Sequence, residues 1–271
     1  MKKLDRVIDA VFNQPWAIQP ESMDIIAAVI ESRLADAESI QAIARTDLKN
    51  DAPQLQIVSG VPVIDIRGVI SRRMNLFSQI SGGTSIETLD SQFTEALAAT
   101  GRAIVFNIDS PGGNVQGVPE FASRVFDAAR NSDKTIVSFA ETAASAAYWI
   151  GSQANELFVS EAGTLGSIGV IARIMDASRA EKNAGVDSVT VRSSELKAPG
   201  GDSITPRQME NIRGRVQEFY GMFKEAVSRA RTGANINDVS TGETWIGKKA
   251  VEMRLADGVS TLEKVIARYG S

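Results

Sequence analysis

The sequence predicts an α/β protein: a layered core of ββα or βαβ units behind an N-terminal helical extension. Three observations carry this. Short, continuous apolar runs such as Ala103-Ile104-Val105-Phe106-Asn107-Ile108 read as buried strands. They alternate with segments whose apolar residues fall at helical spacing, the pattern of an α/β layered core. The first fifty or so residues show helical spacing only.

Within that opening stretch, Leu4, Val7, Ile8, Val11 and Phe12 share one helical face. Pro15 and Pro20 bracket a break, Pro15-Trp16-Ala17-Ile18-Gln19-Pro20. A second helix is expected from Glu21 towards Arg45, with Ile25, Ile26, Val29, Ile30 and Leu34 as its stripe. Asn50-Asp51-Ala52-Pro53 reads as a linker, so the expected division is an extension over 1–52 and a core domain over 53–271.

The core then unfolds in order. Gln56–Val58, Val61–Ile66 and Val69-Ile70 are β-rich and broken by Gly60 and Gly68. Ser81–Ser85 reads as a flexible loop, and a helix follows from Ile86 towards Ala99. The strand at 103–108 ends in Ser110-Pro111-Gly112-Gly113-Asn114, and Val118, Phe121, Ala122, Val125 and Ala129 mark a helix. Lys134–Ala140 is a strand, Ala143–Gly151 a helix and Leu157–Val159 a strand. Thr205 is placed to cap a helix, with Pro206 at its first position and Gln208 closing a capping box. Met209, Ile212, Val216, Phe219, Phe223 and Val227 keep one face of it apolar.

Composition narrows the chemistry. The chain has 271 residues with no His and no Cys. Imidazole catalysis, thiolate nucleophiles, disulfides and thiolate zinc sites are therefore excluded. A hydrolase built from this sequence must take its base from Lys, Asp, Glu or Tyr. Hydrophobic residues make up 43% and charged residues 23%, which suffices for a sizeable core. The net charge of −4 argues against a general nucleic-acid or membrane-surface binder. Asp5, Asp9 and Asn13 interrupt the N-terminal stretch, so no secretory signal is expected. No apolar run approaches the length of a membrane span. A cytoplasmic protein is the expectation.

Four segments could carry chemistry. The glycine pair in Asp109–Asn114 permits close backbone approach and could aim an N–H at an oxyanion, or it is a plain turn. Glu141–Ile150 places Ser145 among small residues where a strand meets a helix, or packs it there without function. Gly163-Thr164-Leu165-Gly166-Ser167-Ile168-Gly169-Val170 lacks both nucleotide-binding glycine signatures and otherwise reads as a loop that lets strands pack closely. Ser193–Gly201 contains Lys197, which in a polar loop is ordinarily solvated. It matters here because a desolvated Lys can serve as a neutral base.

In this order the segments resemble peptidase family S49, the signal-peptide-peptidase-A group and its phage head-maturation relatives. The resemblance runs through SPGG (110–113), TAASAAYWI (142–150), GTLGSIGVI (163–171), ELKAPGG (195–201) and GETWIGKKAVEMRLAD (242–257). It implies a ClpP/crotonase-like fold of stacked ββα units and a Ser-Lys dyad, which suits a chain without His. By position, Ser145 resembles the nucleophile, Lys197 the general base and Ser167 the hydroxyl orienting the amine. The N–H groups of Gly113 and Ala146 resemble the oxyanion hole. No metal or cofactor is implied. Where the family usually has Gly-Leu before a late Asp, this chain has Arg254-Leu255-Ala256-Asp257.

The expected function is a serine endopeptidase, a phage or prophage head protease acting on scaffold, portal-associated or capsid proteins. It would work as a homo-oligomeric ring without nucleic acid or membrane anchor, in host cytoplasm or procapsid. The alternatives are a cytoplasmic peptidase of the same group clearing residual peptides, a crotonase-like acyl-CoA enzyme and an inactive structural homologue. No Glu pair flanks 110–114 or 142–150, which disfavours the acyl-CoA enzyme. Retention of both Ser145 and Lys197 disfavours the inactive homologue.

Overall fold

The computed structural model of the chain describes residues 14–34, 54–73, 83–174, 183, 185, 191–197 and 204–270. The first expected helix, the linker at 50–53 and Ala198–Gly201 lie outside them. Pro15–Ile18, expected as a break between helices, is a strand, β1, with all four residues buried. Pro20 then opens α1 (Pro20–Leu34), a position that suits its fixed φ. Met23, Ile26 and Ala27 turn inward.

β2 (Gln56–Val58) and β3 (Val61–Arg67) form a hairpin. Its two-residue turn, Ser59-Gly60, has both residues at positive φ, as the twist of a type I′ hairpin demands. β3 turns a corner at Gly68 into β4 (Val69–Ser71). The stretch expected as a flexible loop contains β5 (Gly83–Ser85), and Ser85 caps α2 (Ile86–Ala98) by accepting from the Thr88 N–H at 3.0 Å.

The same grammar repeats. β6 (Ala103–Ser110) turns through Pro111 into β7 (Gly112–Asn114) and α3 (Val118–Asn131) follows. β8 (Thr135–Ala144) outlasts its expected end and delays α4 (Ala146–Gly151). β9 (Glu156–Gly166) continues, after a register shift against β8 between Val159 and Thr164, through Gly163–Gly166, where a loop was expected, before β10 (Ile171–Ala172). α5 (Pro206–Ala230) begins with the expected capping box: Thr205 Oγ1 accepts from Gln208 N–H at 3.2 Å and Gln208 Oε1 from Thr205 N–H at 3.0 Å. α6 (Ile236–Val239), β11 (Thr244–Ile246), α7 (Gly247–Glu252), β12 (Gly258–Val259) and α8 (Leu262–Tyr269) complete the chain.

The long strands form one sheet in the order β11-β9-β8-β6-β3-β2, with β12 also on β9. The short strands form a second sheet in the order β10-β1-β7-β4-β5. Each unit thus runs from a long strand, round a corner, into a short strand and then a helix. This is the stacked ββα architecture of the ClpP/crotonase-like fold.

Between strands and helices, Phe93, Phe106 and Phe121 meet at centroid distances of 5.6, 5.9 and 6.3 Å. Trp149 of α4 stacks on Phe223 of α5 at 4.6 Å, which seats the short helix against the long one. Asp257 ties the C-terminal segment back to β9: its Oδ2 accepts from Leu157 N–H at 2.7 Å and from buried Arg231 at 2.6 Å.

Arg254, just after α7, has φ +61. That left-handed conformation costs a residue with a Cβ about 1–2 kcal/mol, whereas glycine adopts it freely. The side chain is exposed, so little packing offsets the strain. Arg254→Gly should therefore stabilise the fold by about 0.5–1 kcal/mol after the entropy lost by glycine is set against it. A urea midpoint at or below wild type, with unchanged slope, would contradict this.

Candidate active site

Ser145 is the residue between the end of β8 and the first turn of α4. Its φ of 55 and ψ of −118 lie in a region that residues with a Cβ rarely occupy. Such backbones cost about 1–3 kcal/mol and persist only where the surroundings over-determine them. Here they do. The Ser145 N–H donates to Gly166 O at 2.8 Å, and its carbonyl accepts from Trp149 N–H at 2.8 Å. The side chain is fully buried, and Oγ donates to Gly169 O at 3.3 Å.

Ser167 stands on the other side of that backbone bond. Ala144 pairs with Gly166 in the β8–β9 register, so Ser167 follows the residue that holds Ser145. It is buried and also at positive φ, +50, with its N–H on Glu243 O at 2.7 Å. Among the described residues only Ser59, Ser145, Ser167 and Arg254 have positive φ without being glycine. Two of these four were singled out from sequence as candidate site residues.

Gly112 and Gly113 form the facing wall. Gly112 has φ +101, and a methyl on it would collide with Ala17 O and come within 3.0 Å of Ala144 O and Ser145 Cβ. A methyl on Gly113 would collide with the backbone of Ile70. Only glycine lets these backbones meet, and the result brings the Gly112-Gly113 turn beside Ser145. Ala146 is the first residue of α4, where an N–H has no acceptor within the helix. Four of the five sequence-predicted positions, Gly113, Ser145, Ala146 and Ser167, are therefore gathered at one place.

Lys197 is not gathered there. It is exposed, its backbone N–H reaches Ser194 O at 3.1 Å, and its ammonium has no hydrogen-bond or ion-pair partner among the described residues. Its segment is fastened to the start of α5 through Glu195, whose side chain accepts from Thr205 Oγ1 at 2.6 Å and whose carbonyl accepts from Gln208 Nε2 at 2.7 Å. Tyr148 is no substitute base. Burial pushes its phenol well above the ordinary value, and its hydroxyl donates to Leu255 O at 3.0 Å.

One participant was missed from sequence. Ala17 of β1 lies directly opposite Gly113 in an antiparallel register. Antiparallel pairs alternate between hydrogen-bonded and open. Gln19 N–H donates to Pro111 O at 3.0 Å, which sets the phase, so two residues on, Gly113 N–H donates to the Ala17 carbonyl. The signal was Pro-bounded Trp16-Ala17-Ile18, too short for periodicity to resolve.

A family model described as peptidase family S49 matches residues 128–270. A probable protease SohB of Haemophilus influenzae is 28% identical over 60% of this chain and 47% of its own length. The head-tail preconnector protein GP5 of Enterobacteria phage P21 is 24% identical over 94% of this chain and 55% of its own. The chain thus spans about half the length of these curated relatives. A mutant ClpP1 from Listeria monocytogenes superposes with a TM-score of 0.48 at 12% identity, covering 74% of this chain and 92% of that one.

The strain at Ser145 is measurable without any activity. Ser145→Ala and Ser145→Gly both remove Oγ, but only glycine relieves the backbone. The glycine variant should be the more stable of the two by about 1 kcal/mol or more, the reverse of the usual order. An alanine variant equal or superior in urea unfolding would show that the site is unstrained.

Proposed function

The chain belongs to peptidase family S49, and from that premise we propose that it is a serine endopeptidase working through a Ser145-Lys197 dyad. The observation that carries this is Ser145 itself: buried, strained and packed close to the backbone of Gly112. With no His in the chain, the proton from Ser145 needs another acceptor.

In this mechanism neutral Lys197 takes the Ser145 proton as Oγ attacks the peptide carbonyl. The N–H groups of Gly113 and Ala146 hold the oxyanion. The Lys197 ammonium then protonates the leaving amine, and an acyl ester remains on Ser145. Water attacks that ester, Lys197 accepts its proton, and Ser145 is restored. Ser167 orients the amine and makes no bond.

Lys197 reaches Ser145 in an assembly of several copies. The surroundings of Lys197 support this. Val191 is 93% exposed, and Leu196 and Met209 lie open beside the same segment and helix start. Ile212, Val216 and Phe219 extend that apolar face of α5 only half-buried. A neighbouring protomer covering this face would desolvate Lys197 and make it a base. The protease would stay silent until assembled. Its substrates are polypeptides, and the phage preconnector relative, aligned along nearly all of this chain, supports scaffold or portal-associated proteins during head assembly. Among the described residues no helix is long and apolar enough to cross a membrane.

Ser145→Ala and Lys197→Ala should each lower peptide cleavage by about 10⁴-fold, without additivity. Lys197→Ala should leave stability within about 0.5 kcal/mol, since the side chain is exposed. Mixing the two inactive variants under subunit exchange should restore a sizeable share of activity, read with a fluorogenic peptide. Verified exchange without recovery would place the dyad inside one chain. A tenth of wild-type turnover in either single variant would remove that residue from the mechanism.

A further inference from the structure

β1 is more than a brace for the short-strand sheet. It is four residues of extended chain inserted between β7 and β10 and antiparallel to both. β7 carries Gly113, and β10 follows the Ser167 segment. An extended peptide that adds itself between two strands is the way a cleft of this kind grips a polypeptide, through main-chain hydrogen bonds with pockets for the side chains. The occupant here is the chain's own Pro15–Ile18.

Its register sets Ala17 opposite Gly113. The Ala17 carbonyl accepts from Gly113 N–H, the group assigned above to the oxyanion. A Cβ on Gly112 would meet Ala17 O on one side and Ser145 Cβ on the other, so these two lie close to each other across it. Ala17 is 0% exposed, with Trp16 and Ile18 at 4% and 3%. Only a small side chain fits at Ala17. The strand is held at both ends. Gln14 Oε1 accepts from Asn114 Nδ2 at 3.1 Å, and Gln19 N–H meets Pro111 O. Beyond it, Asp24 of α1 pairs with Arg173, just past β10, at 2.7 Å.

We propose that β1 is a built-in substrate mimic that closes the peptidase site, with Ala17 in the place of the residue whose carbonyl is attacked. This rests on the peptidase reading and adds its regulation. A free peptide and β1 need the same hydrogen bonds, so both cannot be present. A tethered segment competes at an effective concentration on the order of millimolar, far above that of a dilute substrate. Substrate therefore enters only when β1 leaves, and the enclosed site favours a small residue at the Ala17 position.

The test uses the full chain. Pro15 and Ala172 face each other in the β1–β10 register, at the separation that cross-strand cysteines can bridge. The chain has no Cys, so Pro15→Cys with Ala172→Cys gives a single, defined lock. Ala17→Pro releases the strand, because proline has no N–H to give Gly113 O and is excluded from central strands. Amide exchange on β6 and β8 verifies that the core persists in each variant. In a Ser145→Ala background, a fluorescein-labelled peptide of the sequence Gln14–Gln19 should bind the released form at least tenfold more tightly than wild type. It should not bind the oxidised lock, and its Ala17→Phe version should bind nothing.

With Ser145 intact, release should raise kcat/KM on a fluorogenic peptide at least tenfold. Oxidising the lock should abolish cleavage, and dithiothreitol should return it to the wild-type level. Equal binding to the locked and released forms, or cleavage indifferent to the lock, overturns the proposal and leaves the peptidase reading intact. Binding in the predicted order with no hydrolysis by any form overturns the peptidase reading and leaves β1 as the occupant of the groove.

Discussion

Every feature of the site depends on how the chain changes sheets. At Gly68, Gly112 and Gly166 the backbone takes φ of +60, +101 and +119 as it leaves a long strand or enters the segment before a short one. At Gly112 and Gly166 a Cβ would strike backbone or an aromatic ring. The corners therefore work because nothing projects from them. That absence lets Gly112 lie close against Ala144 and Ser145, and it lets the Gly166 carbonyl catch the Ser145 N–H. Positions that must be empty thus fix the one position that must be strained. The stacked aromatic pair of Trp149 and Phe223 and the bridge from buried Arg231 to exposed Asp257 hold α4 and β9 against that strain from behind.

Much of this was legible in the sequence, for identifiable reasons. The strands at 103–108 and 134–140 announce themselves as largely apolar runs without alternation, because a sheet covered on both faces has no polar side to alternate with. The α5 capping box is a local code that needs no tertiary context. What failed to read is non-local. β5 and β10 have three and two residues and exist only through their neighbours. The glycines at 163 and 166 suggested a loop, yet they sit in a strand, because β8, β11 and α7 press against β9 too closely for side chains. β1 lay between two prolines that mark breaks in helices equally well. Ser145, Ser167, Gly113 and Ala146 were legible as a set. The place of Lys197 was not, since an exposed residue on one chain gets its environment from whatever covers it.

A peptidase whose base is a lysine must neutralise a group that is ordinarily charged at neutral pH, and water is what keeps it charged. Activation is then a matter of excluding water. Under the proposals made above, this chain has two coverings: one over the apolar face beside Lys197, which would complete the chemistry, and one, β1, which would withhold the substrate.

β1 joins residues 15–18 to residues 112–114 and 171–172, pairings of long sequence separation. Contacts of this kind form late, because the loop they close must be ordered first. A ribosome emits the N-terminal strand long before its two partners exist, and at ordinary elongation rates of about 5–20 residues per second the wait lasts many seconds. During that interval Trp16 and Ile18 are unburied apolar groups on a nascent chain. β10 joins the short-strand sheet only through β1, so docking of β1, made before both of its partners, is the step that completes that sheet.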